Sequence, residues 1–371
     1  MAVGWLLFKL MLDIYAGSNA LKTIQEQGFK QELFTNFLGA SGGPKWFILF
    51  GLDKYLFGDF FQGRSTELNL LGSSAGAFRA AALTQKDPVQ AIERLAFTYA
   101  NTAYSAKPTP EEISAHAVTI VDNLFGEYGA KEVIENKIFK AHLLVAKCNG
   151  LTASDNKIMQ GAGLINSMLL NKLSRRLLTK QYQRYIFKHP SSNLVINDPY
   201  NFNNVYQTLT QDNIKEAVLA SGSIPMVMSG IKHISGAEKG TYRDGGIIDY
   251  HFDFSLSTEK QDKGVNAKSK QGLTLYPHFT SMPKAGWFDK NSNRKVLASS
   301  YEDTVLLAPS AQFIQSLPFG KIPDRTDFTK LDAATRIKYW LKVLEETDKL
   351  AECFNEFVVK QDIAKIRAFQ P

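Results

Sequence analysis

Short apolar runs alternate along this chain with stretches whose apolar residues recur at helical spacing. ELFTNFLGA (32–40) reads as a first buried strand. In SGGPKWFILFGLDKYLFG (41–58), Phe47, Leu49, Phe50 and Leu52 supply apolar helix positions, and Pro44 suits a first helical turn. A strand over 67–72 runs into AGAFRAAALT, which reads as a helix with a small-residue face. TPEEI (109–113) opens another helix, with Thr109 as cap and Pro110 at its first position. HLLVAKC (142–148), NLVIND (193–198), LTLYPHF and residues 303–308 read as further strands. Helical stretches separate the strands, which predicts a three-layer α/β/α fold with a central, largely parallel sheet. From Leu331 onward Ile337, Trp340, Leu341 and Leu344 keep helical spacing. The expected organisation is one catalytic α/β domain over 1–320, with a helical C-terminal region, 321–371, packed on it.

Three segments need separate treatment. MAVGWLLFKLMLDIYAG at the N-terminus is apolar but carries Lys9 and Asp13, and no basic segment precedes its apolar part. It reads as an amphipathic helix docked on the body rather than a signal peptide. STEKQDKGVNAKSKQG (257–272) is polar and Lys-rich, an expected exposed loop. LINSMLLNKLSRRLLTKQYQRYIFK (164–188) has helical periodicity, with Ile165, Leu169, Leu173 and Leu177 in one row and Lys172, Arg176, Lys180 and Arg184 in another. Such a helix can lie on anionic lipid. Charged rows are more often solvated faces of docked helices, and that is the expectation here.

Composition adds exclusions. The net charge of +7 over 371 residues comes from scattered Lys and Arg, which gives no footprint for nucleic acid, while contact with an anionic membrane surface stays open. No run of about 18 apolar residues predicts a transmembrane helix. Cys148 and Cys353 form neither a disulfide framework nor a zinc pattern, which fits a reducing, cytoplasmic setting. The six histidines show no ligand spacing, and no acidic loop resembles a calcium site. No metal and no cofactor are expected.

The chemistry-bearing residues begin with Gly72-Ser73-Ser74-Ala75-Gly76. G-x-S-x-G occurs by chance in many chains, but strand, sharp turn and helix are the setting of a nucleophile elbow. The turn lifts the Ser74 hydroxyl clear of the backbone, and the helix start aims free N–H groups at the site. A second such pattern, Gly39-Ala40-Ser41-Gly42-Gly43, is followed by Pro44 and forms a looser loop. The amides of Gly42 and Gly43 are unobstructed, as an oxyanion hole requires. Consecutive strands of an α/β sheet tend to be neighbours, which brings the two loops together at the C-terminal strand ends. A base is also needed, and YRDGGIIDY (242–250) offers Asp244, with Asp249 and His251 as rivals. LASGSIPM (219–226) reads as a connection bringing the chain back towards the site.

In this order the three pieces resemble the patatin-like phospholipases. The family's glycine-rich loop corresponds to Ser41-Gly42-Gly43-Pro44-Lys45-Trp46, its serine to Ser74 between Gly72 and Gly76, and its acid to Asp244 ahead of Gly245 and Gly246. ASGSIP (220–225) is similar to the family's Ala-Ser-x-x-x-Pro segment. The resemblance spans roughly residues 30 to 250, and Ser41 and Trp46 depart from the glycines of the family loop. It implies a serine lipid acyl hydrolase acting on phospholipid or another acyl-ester lipid through a Ser74–Asp244 dyad. The amides of 42–43 would hold the oxyanion, and no histidine takes part. A carboxylate, with a reference pKa of about 3.9, is a weak base in water, and burial in a dry cleft strengthens it.

Two other readings fit the same residues. A Ser–His–Asp esterase would use Ser74, Asp244 and either His251 or His278, although Ser74 follows fewer strands than that fold normally builds before its elbow. A non-catalytic lipid-binding protein on the same fold is the other.

Overall fold

The computed structural model describes residues 11–258 and 272–371. Its strands in chain order are β1 (Leu12–Ala16), β2 (Phe34–Gly39), β3 (Leu68–Ser73), β4 (Phe139–Cys148), β5 (Tyr182–Lys188), β6 (Leu194–Asn197), β7 (Asn204–Thr208), β8 (Thr241–Asp244), β9 (Ser255–Thr258), β10 (Leu273–Pro277), β11 (Thr304–Pro309) and β12 (Arg367–Ala368). The main sheet runs β12-β1-β11-β10-β2-β3-β4-β5-β7, with β8 also paired to β4. β11, β10, β2, β3 and β4 are mutually parallel. β3, β10 and β11 are buried along their whole length, the signature of parallel strands covered on both faces. β1 lies antiparallel to β11, and β5 and β8 lie antiparallel to β4. The architecture is the expected largely parallel sheet with flanking helices, and its antiparallel strands make it a mixed one.

The Ala75–Leu83 helix lies against β2, β3 and β4, with the Pro88–Ala100 and Ile214–Gly222 helices beside it. Its row of alanines permits the close approach. Arg79, on this helix, donates to both carboxylate oxygens of Asp53 at 2.8 and 2.6 Å in a fully buried pair. Thr109 caps the Pro110–Phe125 helix by accepting from the Glu112 N–H, as its sequence predicts. The C-terminal helices Ala333–Glu346 and Asp348–Lys360 bury Trp340, Val343, Leu344, Leu350, Phe354 and Phe357 in the same core as the sheet.

Three expectations change. Residues 12–16 are the antiparallel strand β1 rather than part of a helix, and the segment before residue 11 lies outside the described residues. Alternating burial along Leu12–Ala16 fits a strand, a period that the longer apolar run around it obscures. The 164–188 segment is not one helix. A helix spans Lys157–Leu173, a 3-10 turn spans Arg175–Lys180, and β5 follows. Ser174, extended at φ −162°, ends the helix and breaks both rows. The strand at 193–198 exists as β6, but it pairs with β9 in a separate two-stranded sheet. Most of the 257–272 segment lies outside the described residues.

Candidate active site

The site forms where two strands run towards each other along one flank of β4. β3 ends with Ser73 opposite Leu144. β8 comes from the other direction and ends with Asp244 opposite Val145. The residues that leave the two strand ends therefore meet. The Ser74 hydroxyl donates to Asp244 Oδ2 at 2.8 Å, across 170 positions of sequence. Both residues are buried.

The turn at Ser74 is an elbow. Ser74 has φ 52° and ψ −124°, a conformation that residues with a β-carbon rarely adopt and that costs roughly 1–3 kcal/mol. The flanking glycines make room for the turn. A β-carbon on Gly72 would lie 2.1 Å from the Gly76 carbonyl oxygen. The Ser74 N–H donates to Ser221 Oγ at 2.9 Å, and Ser221 Oγ in turn donates to the Leu144 carbonyl at 2.7 Å. The 219–226 segment thus braces the elbow from behind.

Asp244 is held as firmly. Its Oδ1 accepts from the Gly246 N–H at 2.7 Å, and its own N–H donates to the Ser223 carbonyl at 3.0 Å. A β-carbon on Gly245 would lie 2.2 Å from the Leu144 carbonyl oxygen, which explains the glycine directly after the acid. Burial raises the Asp244 pKa above the ordinary carboxylate value. Arg325, the Ser74 hydroxyl, the Gly246 N–H and Lys290 oppose that shift without overcoming it.

The 41–46 loop approaches from β2. Ser41 Oγ donates to the Ser73 carbonyl at 3.2 Å, so Ser41 supports the elbow and does not compete with it. Gly43 borders the same cavity as Ser74, with φ +56°. Gly42 and Gly43 precede the helical hydrogen bonds of the 3-10 turn Gly43–Leu49, so that turn leaves their N–H groups unused. Lys45 points elsewhere, 3.6 Å from Asp324 and over the Phe279 ring.

Ser74 opens into an apolar cavity of about 320 Å³. Trp46, Phe78, Tyr99, Ile113, Ile224 and Phe328 are among the residues that line it. Trp46, where the family loop has glycine, is a wall of this cavity. On the far side of Asp244 lies a narrow cleft bordered by Tyr250, Trp287, Lys290 and Arg325. Arg325 borders both spaces. Sequence reasoning found neither Lys290 nor Arg325. They sit in irregular segments with no motif, and only the folded chain brings them to the dyad.

The histidine and acid rivals lie apart. His251 Nδ1 accepts from the Lys284 N–H, and its ring stacks on Tyr250. His278 Nδ1 pairs with the backbone of Thr280. Burial lowers both pKa values, that of His278 to about 3, so both rings stay neutral. Neither hydrogen-bonds Ser74 or Asp244. Asp249 is bound through both oxygens to Arg184 in a buried ion pair. Arg184, expected on an exposed basic row, is therefore interior. Among the described residues no group of three or more His, Cys, Asp and Glu gathers as metal ligands.

Residues 69–251 match the family model described as patatin-like phospholipase. The matched span contains both Ser74 and Asp244. No curated protein matches the chain. Among solved structures, the chain is similar to VipD from Legionella pneumophila, at 14% identity and a TM-score of 0.32. The alignment covers 72% of this chain and 53% of VipD, so the chain spans about half the length of that protein.

Proposed function

We propose that the protein cleaves carboxylic esters of lipids through a Ser74–Asp244 dyad and an acyl-enzyme. The observation that carries this reading is the 2.8 Å hydrogen bond to Asp244 Oδ2 from the Oγ of Ser74, which lines an apolar cavity. Ser74 attacks the ester carbonyl carbon as Asp244 takes the hydroxyl proton. The amides of Gly42 and Gly43 hold the carbonyl oxygen as it becomes negative. The tetrahedral adduct collapses, and Asp244 returns its proton to the departing alkoxide. Water then attacks the acyl-Ser74 carbonyl as Asp244 takes its proton, and the second adduct collapses with the bond to Ser74 Oγ breaking, the proton returning to Oγ and the carboxylic acid leaving. The raised pKa of Asp244 supports this role, because a carboxylate that holds its proton more tightly is a stronger base. The apolar cavity suits the acyl chain, and a chain filling it excludes water from the dyad. Arg325 and Phe328 border the cavity, so the 321–371 region belongs to the working unit rather than to an appendage.

The Lys157–Leu173 helix supports peripheral contact with an anionic membrane surface. It is inverted: Gln160, Ser167 and Asn171 are buried, while Ile165, Met168 and Leu169 are exposed, along with Ile158 at 85% and Leu173 at 79%. The buried polar groups are satisfied, Ser167 by Tyr182 Oη at 2.8 Å and Asn171 by Asp289 at 2.7 Å. An apolar face turned outward beside Lys172, Arg176 and Lys180 suits the headgroup boundary of a bilayer better than bulk water. Gln160 also accepts from the N–H of Met226, which ties this helix to the cavity-lining segment around Ile224. Among the described residues no helix is long and apolar enough to cross a membrane.

Fluorophosphonate labelling with peptide mapping tests the proposal. The adduct is expected on Ser74 and absent from Ser74→Ala. An adduct on Ser41, or none on a chain that hydrolyses no lipid in a panel read by mass spectrometry, contradicts it.

A further inference from the structure

The cleft on the far side of Asp244 holds more positive charge than its own carboxylates balance. Three charged groups line it, Asp244, Lys290 and Arg325, and Lys45 and Asp324 lie near enough to act electrostatically on Lys290. Lys45 and Asp324 pair with each other at 3.6 Å. Asp244 is occupied by the Ser74 hydroxyl and the Gly246 N–H. Among the described residues, Lys290 and Arg325 have no side-chain hydrogen bond and no ion-pair partner. Lys290 instead places its Nζ 4.0 Å from the centre of the Tyr250 ring and 5.6 Å from that of Trp287. Two partly buried basic side chains that share one carboxylate, Asp244, and hydrogen-bond to none, facing one cleft, are an unfilled anion site.

The placement fixes which part of a substrate meets them. Ser74 lines the apolar cavity, its partner Asp244 lines this cleft and Arg325 borders both, so an ester bound at Ser74 with its acyl chain in the cavity has its alcohol portion free to turn towards Lys290 and Arg325. The cleft itself has room for little more than a water molecule, about 10 Å³. The anion therefore rests at its mouth, where the two partly buried side chains meet. The aromatic pair that could receive a quaternary ammonium is already covered by Lys290. Both nearby carboxylates are engaged, so nothing is left to pair a cationic headgroup.

We infer that Lys290 and Arg325 form a phosphate subsite that makes the enzyme select acyl esters with a bare, anionic phosphate, of the phosphatidic acid type, over zwitterionic choline lipids. This rests on the Ser74–Asp244 reading for the direction of the substrate. A phosphate monoester carries about −1.5 to −2 charges at pH 7, enough to engage both cations. The Lys290 pKa is pushed down to about 7, first by burial and then by Arg325, with Asp244 opposing. A bound phosphate relieves that burden.

The test separates binding from turnover. Ser74→Ala protein, which cannot turn the lipid over, is titrated calorimetrically with dihexanoyl phosphatidic acid, dihexanoyl phosphatidylcholine and inorganic phosphate. The lipids are kept below their micelle concentrations, so no membrane surface contributes. Phosphatidic acid should bind at least ~10-fold more tightly than phosphatidylcholine, and inorganic phosphate more weakly than phosphatidic acid. Arg325→Gln with Lys290→Gln should remove the preference, and Arg325→Lys with Lys290→Arg should largely restore it, which excludes misfolding as the cause. Equal binding of the two lipids, or a preference unchanged by the neutral pair, overturns the subsite. Inorganic phosphate binding as tightly as phosphatidic acid overturns its assignment to a lipid headgroup. The same lipids offered to the wild-type enzyme report the dyad separately: selective binding without hydrolysis leaves the subsite standing and defeats the catalytic reading.

Discussion

Gly76 sits so close to Gly39 that a β-carbon on Gly76 would lie 1.7 Å from the Gly39 carbonyl oxygen. The elbow helix and the end of β2 are in backbone contact at this point, and that contact sets the spacing between Ser74 and the Gly42–Gly43 loop. Gly76→Ala should push the two apart. The expected outcome is a loss of about 2 kcal/mol or more in urea unfolding, from forced overpacking, together with loss of esterase activity. A Gly76→Ala protein with unchanged stability would show that the contact is looser than the geometry gives.

Ser74 stores strain in its positive φ. Ser74→Gly removes the β-carbon that makes this conformation costly, whereas Ser74→Ala keeps it. Both variants should be inactive, but the glycine variant should be more stable than the alanine variant by about 1 kcal/mol. Paired urea or thermal unfolding curves check the ordering, and the reverse ordering contradicts a strained elbow.

The inverted Lys157–Leu173 helix makes a prediction about surfaces. Changing Lys172, Arg176 and Lys180 to Glu should weaken sedimentation with anionic vesicles several-fold at low salt. The difference should shrink as salt rises, because screening weakens exposed charges. Changing Ile165 and Leu169 to Ser should weaken vesicle binding at every salt concentration, since apolar burial is not screened. Vesicle binding that ignores both sets of changes would leave the apolar face without this partner.

Activity should also report the burial of Asp244. As a base it must be ionised, so kcat/KM for a soluble neutral ester should rise with pH as Asp244 loses its proton. Its pKa is raised, so the acid limb should lie above the reference value of about 3.9. Arg325 and Lys290 pull the pKa down, and Arg325→Gln should therefore move the limb to higher pH. A limb that stays in place in Arg325→Gln would mean that this cation does not act on the base.

The meeting of Ser74 and Asp244 was legible because its signals are local. Ser74 and Asp244 each sit in a short signature whose glycines answer to a contact, Gly72 and Gly76 to the elbow and Gly245 to the Leu144 carbonyl. The parallel heart of the sheet was also legible, because β3, β10 and β11 are short, mainly apolar segments and are buried along their whole length. Strand direction was not, because a hydrophobic pattern reads the same both ways, and β5 and β8 turned out antiparallel to β4. The 164–188 segment misled because periodicity alone ignores Ser174, where the backbone leaves the helix. It also says nothing about which face is buried, and here the polar face of Gln160, Ser167 and Asn171 turns inward. Arg325 and Lys290 carry no local signature at all.

The account stands on a dyad without histidine, and the most direct measurement is kcat/KM on a short soluble ester for Asp244→Asn beside His251→Ala and His278→Ala. Asp244→Asn keeps the shape of the side chain but has no basic oxygen to accept the Ser74 proton. It should lose about 10³-fold or more while circular dichroism shows a folded protein. Each histidine variant should stay within about tenfold of wild type, because neither ring touches Ser74 or Asp244. A folded histidine variant as inactive as Ser74→Ala, or an Asp244→Asn protein that keeps its activity, would contradict the mechanism.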